Sequence, residues 1–152
     1  MNPLKEKIAA DFKEALKSGD SFRRSVLSLL KAAIHNKEIE KRKQDAGLAE
    51  DETREVIRSE VKKRMDSAAA FRGAGETARA ESEEAEAVVL KKYLPPEASG
   101  EEIKMVVEKV LAAAGSKSKK DFGRLMGAAV KELQGRADGN RIKRILETKL
   151  TD

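Results

Sequence analysis

The chain has 152 residues, 39% of them charged and 39% apolar, with one histidine, one tyrosine, four phenylalanines and neither cysteine nor tryptophan. This composition excludes disulfides, thiolate metal sites and a cysteine nucleophile, and it leaves few rings for stacking bases. The formal charge is +5: residues 1–114 hold 22 basic and 22 acidic side chains, residues 115–152 hold 10 and 5, so the whole excess lies in the last quarter and could serve a polyanion.

The first helix is expected to open near Pro3, a favoured first-turn residue, with Leu4, Ile8, Phe12 and Leu16 as its apolar stripe. Ser18-Gly19 ends it. Asp20 caps a second helix running to about Lys43, with Phe22, Val26, Leu27, Leu29, Leu30, Ala33, Ile34 and Ile39 as its apolar face. The charged end of that helix, Lys37 to Lys43, is expected in water, and Gly47 marks the next turn. A third helix starts around Asp51 with Ile57, Val61, Met65, Ala68 and Phe71 as its stripe, and breaks at Gly73 and Gly75. A fourth runs from Thr77 to Tyr93 with Ala78, Ala85, Val88, Val89 and Leu94 inward. Pro95-Pro96 stops it, and Pro95–Ala98 reads as a linker.

Ser99-Gly100-Glu101-Glu102 reads as a capping box. The fifth helix follows it, with Ile103, Val106, Val107, Val110 and Leu111, and closes at Gly115. A sixth opens at Ser118 with Phe122, Leu125, Met126, Ala129, Val130 and Leu133 on one face. Gly135 suits its left-handed terminus. Asp138 caps the last helix, whose stripe is Ile142, Ile145, Leu146 and Leu150. No stretch alternates with the period of a strand. The fold class is therefore all-α, with a four-helix N-terminal part, residues 1–94, followed by a small three-helix C-terminal domain, residues 99–150. A domain that small buries only ~60% of its unfolded surface.

Two glycines, Gly123 and Gly127, lie one turn apart inside the sixth helix. Each costs roughly 1 kcal/mol relative to alanine. Close packing against a neighbouring helix is one compensation, and a groove for a ligand backbone is another. The basic residues around this helix and the next turn are Lys119, Lys120, Arg124, Arg136, Arg141, Lys143 and Arg144. They are the candidate RNA-binding residues, with Gly123, Gly127 and Gly135 as close-approach glycines. Asp138 already neutralises the last helix's N-terminus, so a phosphate would meet arginines rather than bare amides.

Catalytic machinery is not evident. His35 and Glu38 stand at helical spacing, but no second His-x-x-Glu exists to complete a bundle metal site. No P-loop or dinucleotide glycine loop is present. No serine sits with a readable base and orienting partner. No catalytic residue, metal or other cofactor is expected. The N-terminus Met1-Asn2-Pro3-Leu4-Lys5-Glu6 lacks a signal-peptide core, and no apolar run is long enough to span a bilayer. A cytoplasmic location without membrane contact is the expectation.

Several segments, in order and spacing, resemble the GatB/YqeY family and its small stand-alone YqeY-like members. They are Glu60-Val61-Lys62-Lys63-Arg64-Met65-Asp66-Ser67, Phe71-Arg72-Gly73-Ala74-Gly75, Tyr93-Leu94-Pro95, Asp121-Phe122-Gly123-Arg124-Leu125-Met126-Gly127 and Gly135-Arg136-Ala137-Asp138-Gly139. The C-terminal third also resembles the tail domain of the B subunit of the tRNA-dependent amidotransferase, which helps hold tRNA. The resemblance implies two helical parts and a link to carbon–nitrogen ligation with glutamine as amido donor. On the matching positions it implies tRNA contact by Lys119, Lys120, Gly123, Arg124, Gly127, Gly135, Arg136 and Ala137. The B subunit's catalytic cradle and the A subunit's serine–lysine amidase have no counterpart here, so a non-catalytic helper is expected. Its partner would be tRNA or another structured RNA, or alternatively an amidotransferase or related assembly docked on helices two and three.

Overall fold

Residues 2–152 are described in a computed structural model. Among them the chain forms seven α-helices and one 3-10 turn, and their contacts group into two units divided between Leu94 and Pro95.

In the N-terminal unit, α1 spans Pro3–Ser18, α2 Ser21–Glu40, α3 Glu50–Gly73 and α4 Thr77–Lys91. The Asn2 side chain caps α1 by accepting from Lys5 N at 3.2 Å, and its amide donates to Leu48 O and to Thr53 Oγ1. Asp20 caps α2 through Arg23 N, and Glu52 reaches back to Ala49 N to open α3. Gly19 and Gly75 take the left-handed conformation that closes a helix without a Cβ clash. Ile8, Leu27, Leu30, Ile57 and Leu90 are fully buried at the centre of this unit. Each such side chain contributes about 1.5–3 kcal/mol on leaving water.

Several expectations fail in this unit, each for an identifiable reason. Helix α2 stops at Glu40 rather than near Lys43, because Arg42 turns left-handed at φ 55° and Lys43 N bonds back to Glu38 O. The charged end of α2 is not all in water: Glu38 is buried, accepting from Lys5 Nζ and from Leu48 N. Its burial alone would raise its pKa. The Lys5 ammonium, the Leu48 amide and His35 outweigh that and hold the carboxyl below the usual carboxylate range. In α3 the expected stripe holds at Ile57 and Ala68 but not at Met65, and in α4 the expected stripe is rotated. Arg64 is buried where Met65 was expected, and Ala80, Ala87 and Leu90 are buried in place of Ala78, Ala85 and the half-exposed Val88. Alanines let the two helices approach closely, and Arg64 enters their seam by bonding Glu60, with Glu86 3.3 Å from its Nε. Leu16, Phe22, Leu29 and Ile39 also stand largely exposed rather than inward. Tyr93, outside the expected stripe, is buried: its hydroxyl donates to Asp11 at 2.6 Å and ties the end of α4 to α1.

In the C-terminal unit, α5 spans Gly100–Ala114, α6 Phe122–Leu133 and α7 Gly139–Lys149. Ser99 caps α5 by accepting from Glu102 N, but the Glu102 carboxylate turns to Arg136 instead of back to the cap. Ile103, Val107, Leu125, Ala129, Leu133, Ile142 and Leu146 make the core. Residues 96–98, expected as a linker, are bonded into this unit. Arg136 Nε donates to Pro96 O, Ala98 N to Arg136 O and Arg141 to Ala98 O. The expected helix start at Ser118 is instead a single 3-10 turn over Lys119–Asp121, capped by Ser118 Oγ. The chain end explains it: Lys119 N donates to Thr151 O and Thr151 N to Lys117 O, an isolated parallel bridge that holds 117–119 extended.

Candidate nucleic-acid interface

Helix α6 turns Leu125, Ala129 and Leu133 into the core, with Phe122 and Met126 partly buried beside them. A 3.6-residue repeat then places Gly123, Gly127, Val130 and Lys131 together on the opposite side. All four are exposed there. Val130, expected inward, is 41% exposed.

The two glycines settle the question their cost raises. A Cβ built at either Gly123 or Gly127 meets no atom within 4 Å. Close packing against a neighbouring helix is therefore not their compensation among the described residues. Gly135 differs: it follows Gln134 in a left-handed pair, at φ 73° and 49°, that terminates α6 and sends Arg136 N to Leu133 O. Its role is conformational, as its position suggests.

The seven basic candidates fall into two groups. Lys119, Lys120 and Arg124 lie at the start of α6, whereas Arg136, Arg141, Lys143 and Arg144 lie past its far end or on α7. Arg124 stands near the start of α6 and Arg136 lies beyond its end at Leu133, nine helical residues of about 1.5 Å rise further on, so these arginines do not form one cluster. Their engagement also differs. Arg136 is bidentate in effect, bonding Pro96 O at 3.0 Å and Glu102 at 2.9 Å, and Arg141 bonds Ala98 O. Arg144 Nε donates to Asn140 O, and Lys143 stands 4.0 Å from Glu147. Lys119 pairs with Asp152 on an exposed surface, and Arg124 lies 3.6 Å from Asp121. The Lys120 ammonium has no partner among the described residues. Neither has Lys131, which the sequence reading passed over although it stands eight residues from Gly123 on the same face.

This surface can hold a polyanion chemically: the glycines leave the backbone open, and Lys120 and Lys131 stand before and after them in the chain. At the start of α7 the Asp138 carboxylate accepts from Asn140 N at 2.8 Å, so that helix end is already capped. In the other unit His35 Nδ1 lies 3.7 Å from Glu38, and among the described residues no three histidines or carboxylates gather as metal ligands. No helix among them is long and apolar enough to cross a membrane.

No curated protein matches the chain. The family model described as Yqey-like protein matches residues 5–150, nearly its full length. The chain therefore belongs to the YqeY-like family.

Proposed function

We propose that the protein is a non-catalytic accessory module that binds tRNA or another structured RNA through the open face of α6, in association with glutamine-dependent tRNA amidation. The observation that carries this reading is the pair of glycines whose Cβ positions meet nothing. They expose helix backbone at a cost that no packing offsets, and unpartnered Lys120 and Lys131 flank them. A phosphodiester chain is the ligand that gains from both a close backbone and cationic flanks. Arg124 and Lys119 belong to the same contact, because their ion pairs are exposed and worth little. Arg136 and Arg141 instead hold residues 96–98 in place.

The test is bulk tRNA binding across a salt series. Lys120→Gln combined with Lys131→Gln should weaken binding and shallow the log–log slope by about two contacts, each contributing ~0.7–0.9. Arg136→Gln should lower stability and leave the slope nearly unchanged. Affinity indifferent to salt, or to Lys120 and Lys131, refutes the reading.

A second reading is favoured by a separate observation. Phe22, Leu29 and Ile39 of α2 and Met65 of α3 are 40–55% exposed. Large apolar side chains in solvent suit a protein partner, such as an amidotransferase or related assembly. Capture of that partner after nuclease treatment, lost on Leu29→Lys, would support docking in place of RNA binding.

A further inference from the structure

The outer face of α2 carries a seam that nothing in its own unit fills. Phe22, Ser25, Leu29, Ala32, Asn36 and Ile39 recur at alternating steps of three and four, the a and d spacing of a coiled coil. All are exposed, and the three large ones, Phe22, Leu29 and Ile39, are 42%, 55% and 47% exposed. The other side of the helix, with Val26, Leu27, Leu30 and Ile34, already faces the core. No charged residue interrupts the seam, in a chain of which 39% is charged. The exposed side of α1, by contrast, carries Glu6, Lys7, Lys13, Glu14 and Lys17.

We propose that this seam is closed by α2 of a second copy of the chain, packed antiparallel across a two-fold axis. The register selects the occupant. About an axis between Leu30 and Lys31, Phe22 faces Ile39 of the other copy, Ser25 faces Asn36 and Leu29 faces Ala32, and the symmetry repeats each layer in reverse. Large meets small next to the axis, where two crossing helices come closest. The two polar residues of the seam meet each other and can hydrogen-bond, so neither stands opposite an apolar side chain. A parallel pair would instead set Ala32 on Ala32 and leave a gap there. The flanks do not oppose the pairing. Glu40 comes to the first turn of the other α2, which carries Arg23 and Arg24 and no acidic residue, and a carboxylate is favoured there. Lys31, the charge nearest the axis, lies 4.4 Å from the centre of the Phe12 ring of α1, which draws it off the seam.

The assignment is independent of RNA binding, which concerns the other unit, and it gives α2 a different occupant from the docking alternative. Six seam residues a side are far fewer than the roughly 20–30 of a standard interface. The dimer should therefore be weak, with a dissociation constant on the order of 100 µM. Sedimentation equilibrium of the full chain from about 10 µM to about 1 mM should follow this association. Leu29→Glu puts two carboxylates beside the axis and should weaken it by more than about tenfold. Leu29 is 55% exposed within its own chain, so melting followed by circular dichroism should stay close to that of the wild type. Disulfide formation reads the orientation, since the chain has no cysteine of its own. Ser25→Cys mixed with Asn36→Cys should give the mixed disulfide on oxidation, and neither variant alone should link to itself. That readout holds even where Leu29→Glu lowers stability. A wild type that stays monomeric throughout, a dimer indifferent to a folded Leu29→Glu, or self-linked Ser25→Cys and Asn36→Cys in place of the mixed product would each overturn the assignment.

Discussion

Replacing Gly123 and Gly127 by alanine is the sharpest perturbation of α6. Both positions have ordinary helical backbone, and a methyl group at either meets no atom within 4 Å. Gly127, in the helix interior, should gain the full helix-propensity difference on substitution, about 0.8–1 kcal/mol, largely by restricting the unfolded chain, and Gly123, in the first turn of α6, should gain less. The double variant gains about 1–2 kcal/mol. A unit the size of residues 95–152 shifts by about 4–8 °C per kcal/mol, so its melting temperature should rise by about 4–16 °C. Circular dichroism on heating, with a urea titration as a second measure, reads this directly. The same two methyl groups stand where a phosphate backbone would approach. The double variant should then bind tRNA more weakly while being more stable. A lowered melting temperature would refute the claim that this face is open. A raised melting temperature with unchanged RNA affinity would keep the open face and refute the groove.

Tyr93→Phe removes a hydrogen bond to a carboxylate at 2.6 Å and should cost about 1.5–3 kcal/mol in urea unfolding; a change near zero would mean that the Arg23 guanidinium, 3.6 Å away, satisfies Asp11 by itself. The pH dependence follows from Glu38, whose carboxyl is held below its ordinary value of 4.5 in the folded state. Its stabilisation is present above that value and lost as pH falls through the lower, folded one. Glu52, pushed down to about 2 by hydrogen bonds from Lys41, Lys43 and Ala49 N, continues the loss further into acid. Glu38→Gln should thus be less stable than the wild type at pH 7 and approach it in acid, as followed by denaturation midpoints at pH 7, 5, 4 and 3. Parallel midpoints at all four values would remove Glu38 from the acid response.

Helix existence and most helix ends were legible because local chemistry sets them. Asp20, Ser99 and Asp138 are caps wherever the chain goes next, and Gly19, Gly75 and Gly115 stop helices by their own conformation. What the local pattern could not supply was which side of α4 faces inward and that Arg64 rather than Met65 is the buried neighbour on α3. Two alanines and an arginine fill that seam, and hydropathy ranks Met65 and Val88 above them. The buried Glu38 escaped for a related reason. Its partners, Lys5 and Leu48, lie 33 and 10 residues away, so its sequence neighbours are only the charged residues that suggested a solvated tail. The late start of the helix expected from Ser118 escaped because the bonds that hold 117–119 extended come from Thr151, at the other end of the unit.

The same distinction bears on the candidate interface. Arg136 and Arg141 look in sequence like the strongest phosphate ligands, since arginine geometry suits phosphate. In the fold their guanidinium groups are committed to the carbonyls of Pro96 and Ala98. Releasing them to bind RNA would cost these bonds, including the part-buried one to Ala98 O, and loosen the segment that Ala98 anchors in the core. Lys120 and Lys131 carry no such commitment. An ammonium in water loses only hydration and some side-chain freedom on meeting a phosphate, and counterion release offsets that loss. Local sequence rules are usually broken where another interaction compensates. For Gly75 and Gly115 the compensation is the backbone turn itself. For Gly123 and Gly127 no packing compensation exists among the described residues, and a molecule bound from outside would supply it.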